Sequence, residues 1–277
     1  MRNPFDRIKA AWNSWRYHQT LPLRLEFIIG DQCNLNCKGC THYSPLARHD
    51  RSEFEKLQND VVRVAKACSQ DAPIIYIMGG ETLLHPQICE IIKLMRQQFP
   101  ASQLSLFTNG ILLPRMKDEF WEECKSSRCK IVVTRYPVDT DYDKIQELVK
   151  ENGVDCDFYG DRTGDDGFLQ FLLDPNKKQN SKISHFKCYN FGCVSIRDGR
   201  IYPCSISACI KHLNAKMGRE CFVHEHGDFI EISDLQNSKQ ILNMRNHAVP
   251  FCSYCITPPK STKWEKSSNS VSEWVGN

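Results

Sequence analysis

Residues 23–40 read LRLEFIIGDQCNLNCKGC. The first seven, rich in Leu, Ile and Phe and closed by Gly30-Asp31, have the character of a buried strand. Residues 53–69 follow, with Phe54, Leu57, Val61, Val64 and Cys68 on one face at helical spacing. This pairing of a short apolar run with an amphipathic stretch then repeats. Residues 74–78 (IIYIM), 104–108 (LSLFT), 130–134 (KIVVT) and 154–159 read as strands, and 88–99, 115–125 and 142–151 as helices. The run at 168–173 fits a sixth strand or a short helical turn. Short strands rich in Ile and Val suit parallel strands covered on both faces. Right-handed crossovers would roll five or six such units into an α/β partial barrel, a TIM-like (β/α)6 sheet left open. Functional groups in such folds sit on loops after the C-terminal ends of strands. The punctuated motifs fall there: residues 31–40 after strand one, Gly79-Gly80-Glu81 after strand two and Asn109-Gly110 after strand three.

The alternation stops after Leu173. Residues 174–182 (DPNKKQNSK) are polar and read as a linker, and 193–204 (CVSIRDGRIYPC) as a hairpin turning at Asp198-Gly199. Residues 234–247 read as a helix starting at an Asp or Ser cap. The expected organisation is an amphipathic helix over 1–20, a partial barrel over 21–175, a small α+β domain over 185–257 and a mobile Ser/Pro/Lys-rich tail over 258–277. In the first helix Phe5, Ile8, Trp12 and Trp15 form a stripe flanked by Arg2, Arg7, Lys9 and Arg16. It closes the bottom of the core, or makes peripheral contact with a membrane. No run approaches the ~20 apolar residues of a membrane span, and no signal peptide is legible, so a cytoplasmic location is the default expectation. A net charge of +3 with no basic block argues against a nucleic-acid partner.

Fifteen cysteines, an odd number, in a chain of 277 residues speak against a disulfide scaffold and for metal ligands or redox groups. Two sets cluster. Cys33, Cys37 and Cys40 are spaced C-x3-C-x2-C. Three thiolates can hold three irons of a 4Fe–4S cluster and leave the fourth iron open to a small molecule. Zinc usually takes four ligands, and a ferredoxin-type run would supply a fourth cysteine nearby, whereas the next here is Cys68. The second set is Cys188, Cys193, Cys204, Cys252 and Cys255, five candidates for four places. Spacing favours Cys188 over Cys193 without deciding between them. A zinc site is the alternative for this set.

The cysteine loop after strand one, followed by Met78-Gly79-Gly80-Glu81-Thr82 after strand two, resembles the radical S-adenosylmethionine (SAM) enzymes over roughly residues 21–175. The resemblance implies that Cys33, Cys37 and Cys40 ligate a cluster whose open iron SAM chelates. It implies that Gly79 and Gly80 let the backbone approach the methionine moiety, and that Glu81 accepts a hydrogen bond from the SAM amino group. Thr134, with Arg135 beside it, sits where the family often contacts the SAM ribose or carboxylate, and Asn109 is a weaker candidate. An electron from a flavodoxin- or ferredoxin-type donor would cleave SAM to a 5′-deoxyadenosyl radical that abstracts hydrogen from substrate. Gly39 replaces the large residue that often covers the adenine, a task expected of Tyr43 or His42, and Thr82 replaces the usual Pro.

The C-terminal cysteines resemble the twitch module, a shortened SPASM-like domain that holds a second, fully ligated 4Fe–4S cluster for electron transfer. Twitch enzymes of this size act on small carbohydrate-like molecules, and only some 20 residues precede the first strand. A small polar substrate and an oxidoreductase or lyase reaction are therefore expected. Two alternatives stand: a peptide- or protein-modifying radical enzyme, and a non-catalytic iron–sulfur or zinc-binding interaction protein. The general base is not legible.

Overall fold

A computed structural model describes residues 20–47, 51–160 and 168–276; the expected N-terminal helix lies outside them. Five parallel strands form in chain order: β1 (Arg24–Ile28), β2 (Ile74–Met78), β3 (Gln103–Thr108), β4 (Cys129–Thr134) and β5 (Cys156–Tyr159). Between them run α1 (Phe54–Cys68), α2 (Ile88–Gln98), α3 (Asp118–Ser126) and α4 (Tyr142–Glu151). Each helix buries one apolar stripe, as Leu57, Val61, Val64 and Cys68 of α1 show. Strand residues alternate between faces. Phe27 packs on Phe99 at the end of α2 with ring centroids 5.8 Å apart. Arg24 and Glu26 therefore point to the opposite face, where Tyr76 lies under the Arg24 guanidinium at 5.4 Å. Among the described residues no helix is long and apolar enough to cross a membrane.

Beyond β5 the topology departs from a six-unit repeat. The apolar run at 168–173 is a strand, β6 (Phe168–Leu173), but it leaves the barrel sheet and pairs antiparallel with β10 (Cys255–Thr262). The place beside β1 goes to β7 (Val194–Arg197), parallel to it, with Leu25 opposite Val194 and Phe27 opposite Ile196. β8 (Arg200–Tyr202) and β9 (Ile230–Glu231) complete one eight-stranded sheet in the order β5-β4-β3-β2-β1-β7-β8-β9. The β7–β8 turn has Asp198 and Gly199 at φ 49° and 78°, the positive values of a two-residue hairpin turn. The remaining helices are α5 (Ser181–Phe186), α6 (Ser205–Ala208), α7 (Lys211–Met217) and α8 (Ser238–Asn246). α8 starts later than the sequence suggests, because Asn237 and Gln240 close a capping box.

The region expected to be a mobile tail is ordered through residue 276. Its first part is strand β10. Further on, Lys38 N–H donates to the Glu265 carbonyl at 2.9 Å, and Ser267 N–H to that of Asn36 at 2.8 Å. Trp274 is 1% exposed, against Tyr43, and its Nε1–H donates to the Cys40 carbonyl at 2.9 Å. Polar composition misled here because backbone pairing needs no apolar side chain.

Candidate active site

Seven of the sequence candidates come together. Cys33, Cys37, Cys40, Gly79, Gly80, Asn109 and Thr134 line one cavity of about 410 Å3 at the C-terminal ends of the parallel strands, with Met78, Phe107, Tyr136 and His42. Among the described residues no three His, Cys, Asp or Glu side chains converge on a single ion-sized point; the three sulfurs border a space instead. Three soft donors around a polar-edged cavity with room left over suit a cluster and a further small ligand. Burial pushes the Cys33 and Cys37 thiols up to about 12. Burial also raises Cys40, but hydrogen bonding and charge from His42 outweigh it and hold that thiol below its ordinary value. Metal loading must displace protons from all three.

The loop is held from two sides. Gly80 N–H donates to the Gly30 carbonyl and Glu81 N–H to that of Gln32, both at 2.8 Å. A Cβ on Gly79 would lie 2.2 Å from the Gly30 oxygen, and one on Gly80 2.4 Å from that of Asp31. The two glycines are thus required where the β2 loop packs on the cysteine loop, a closer constraint than the expected approach to methionine. On the other side Asp31, fully buried, meets Arg197 Nη1 at 2.5 Å, His212 Nε2 at 2.5 Å and the Cys209 sulfur at 3.6 Å. Burial would raise the Asp31 carboxyl, but the His212 hydrogen bond and the Arg197 charge hold it well below the usual range. All three partners come from the β7–α7 region, so the C-terminal half anchors the start of the loop. Spacing gave no signal for this network, since its members lie far apart in the chain.

Three of the expected residues lie outside the cavity lining. Glu81 is 3% exposed and does not line the cavity. Its carboxylate accepts from Leu83 N at 3.0 Å, Thr108 Oγ1 at 2.7 Å and Asn109 N at 2.8 Å, so it braces the ends of β2 and β3. Arg135 stacks its guanidinium over Phe158 at 4.8 Å and is not among the residues lining the cavity. Tyr43 turns into the core against Trp274 and cannot cover an adenine, whereas His42 does line the cavity. Gln170 occupies the space above Gly39, where a Cβ would meet its Cγ at 2.8 Å. Asn109 is fixed by donating from Nδ2 to Asn34 Oδ1 at 2.6 Å.

Four of the five C-terminal cysteines border a second, tight cavity of about 40 Å3: Cys188, Cys204, Cys252 and Cys255, with His185, Phe191, Arg245 and Phe251. Burial raises all four thiols, Cys252 to about 11. Cys193 is not among them. Its sulfur accepts from Arg24 Nη2 at 2.9 Å on the barrel face that also holds Glu26. Parallel pairing of β7 with β1 sets this, because it brings the residue before Val194 beside Arg24.

Residues 27–156 match the family model described as the radical SAM superfamily. The chain is 30% identical over 95 residues to a GTP 3′,8-cyclase of Heliobacterium modesticaldum, and 34% identical over 88 residues to one of Helicobacter pylori. These alignments cover 34% and 32% of this chain, and 29% and 27% of the relatives, so the chain spans under a third of their length. Over most of its length it shares the fold of BtrN, solved in complex with AdoMet and 2-DOIA: TM-score 0.51 at 14% identity, covering 90% of this chain and 98% of that one. The stretch that matches the radical SAM superfamily model runs from β1 to the start of β5 and carries the three-cysteine loop.

Proposed function

We propose that the chain is a two-cluster radical SAM enzyme acting on a small, carbohydrate-like substrate by an oxidoreductase- or lyase-type reaction. The observation that supports it is the pair of cysteine cavities: three sulfurs around a roomy space, four around a tight one. Cys33, Cys37 and Cys40 would hold a 4Fe–4S cluster with SAM, and Cys188, Cys204, Cys252 and Cys255 a second 4Fe–4S cluster. When bound, the first cluster and SAM supply reductive cleavage to a 5′-deoxyadenosyl radical, and the second supplies a site for one electron.

The protein's own share is positioning and exclusion of water. Gly79 and Gly80 pack the β2 loop on the cysteine loop. Asn109 and Thr134 offer polar groups at the strand ends, and Met78 and Phe107 supply apolar wall. A flavodoxin- or ferredoxin-type protein is the proposed electron donor. GTP cyclase relatives aligned over under a third of their length support shared SAM chemistry more than a shared substrate.

The test is anaerobic reconstitution followed by dithionite and SAM. Release of 5′-deoxyadenosine and two clusters per chain by iron analysis are expected; absence of 5′-deoxyadenosine from iron-loaded protein sinks the enzyme reading.

A further inference from the structure

The three thiols of the first cavity differ in where their N–H neighbours come from. Cys33 accepts from Leu35 N at 3.4 Å, inside its own loop. Cys40 is served by His42, two residues on. Cys37 is paired with a segment near the other end of the chain, where it bridges to Lys266, two residues after Trp264. The Trp264 Nε1 is fully shielded from solvent and has no hydrogen-bond partner among the described residues. Cys37 lies opposite Lys266, two residues beyond Trp264, and the indole packs on Tyr136 of the same cavity, which sets the unpartnered N–H beside the cysteine loop.

Its placement is built, not incidental. The ring meets Tyr136 edge-on with centroids 6.3 Å apart, and Tyr136 lines the cavity. The next residues pair with the cysteine loop: Glu265 accepts from Lys38 N, Lys266 bridges to Cys37, and Ser267 donates to Asn36. Lys38 Nζ also reaches the Glu265 carboxylate at 2.5 Å. A buried donor with no partner is costly. A thiolate bound to iron is a stronger acceptor than a thiol and would satisfy it.

We infer that Trp264 is a positioning residue for the first cluster: its indole N–H donates to the Cys37 sulfur once iron is bound, and so raises the cluster's reduction potential. Reduction adds negative charge to the cluster, and a fixed donor at a ligand sulfur stabilises the more negative state. The C-terminal segment, outside the matched domain, thereby sets how readily that domain accepts its electron. This rests on the proposed cluster at Cys33, Cys37 and Cys40.

The experiment is an EPR-monitored redox titration of the reconstituted full chain, following the signal that changes on adding SAM. Trp264→Phe keeps the ring against Tyr136 and removes the N–H. Its midpoint is expected to fall by about 59 mV, about a tenfold change in a one-electron equilibrium, at unchanged iron content. Trp264→His keeps a ring N–H and is expected to lie between Trp264→Phe and wild type. A Trp264→Phe midpoint equal to wild type overturns the inference. Equal shifts in both variants also overturn it, since packing alone would then explain them. Wild-type protein that loads iron but gives no SAM-responsive signal overturns the underlying cluster assignment, and this inference with it.

Discussion

The two cysteine cavities use the same ligand atoms and differ in how the chain delivers them. The first takes all three sulfurs from one eight-residue stretch after β1, and encloses about 410 Å3. The second takes four sulfurs from three separated stretches, around about 40 Å3. A local loop leaves one side free for a small molecule. Converging segments confine the second site to a tighter space. In the proposed reading, access more than ligand type separates the site that would bind SAM from the one that would pass electrons.

Removing one ligand from each cavity tests that contrast most severely. Cys33→Ala is expected to abolish 5′-deoxyadenosine formation, measured by chromatography after dithionite and SAM. Cys255→Ala is expected to lower iron by roughly four per chain, the content of one 4Fe–4S cluster, and to leave SAM cleavage measurable. Equal loss of cleavage in both would erase the distinction.

The link between the two regions comes next in size. Asp31→Asn leaves the buried Arg197 without its main counter-charge and is expected to cost about 3–5 kcal/mol in urea unfolding. A loss under about 1 kcal/mol, typical of exposed pairs, would show that the C-terminal half does not anchor the loop. Glu81→Gln sets an amide against at least one of three donors and is expected to cost up to about 3 kcal/mol. A tighter SAM Kd in that variant would contradict its role as a brace.

The smallest expected effect concerns Glu26, on β1, the interior strand that pairs with both β2 and β7. Burial raises its carboxyl to about 6, with Arg24 opposing. The folded state then holds the proton more tightly than the unfolded chain, whose value lies near 4.5. Stability should therefore fall as pH rises from 4.5 to about 6, by about 2 kcal/mol. Glu26→Gln should remove that slope from urea midpoints measured across the window; an unchanged slope assigns it to other groups.

The strand–helix repeat was legible because each unit's apolar pattern is local, and Gly79-Gly80 because glycine marks close backbone approach. One partner of that approach was not legible, the backbone of the β1 loop at Gly30 and Asp31. Glu81 shows the same limit, since a motif names a carboxylate but not which N–H groups will reach it first. The 258–277 stretch was misread because its order comes from backbone pairing to β6 and to the cysteine loop, which composition does not encode.

The sequence by itself determined the parallel strands, the three-cysteine loop and its place at their C-terminal ends, because residues within one turn or one loop are neighbours in any fold. Only the tertiary structure decided that β7 pairs beside β1, that Cys193 faces Arg24 while Cys188 joins the tight cavity, and that residues 265–267 pair with the cysteine loop. Those outcomes depend on which distant segments pack together, and packing is settled by the whole core at once.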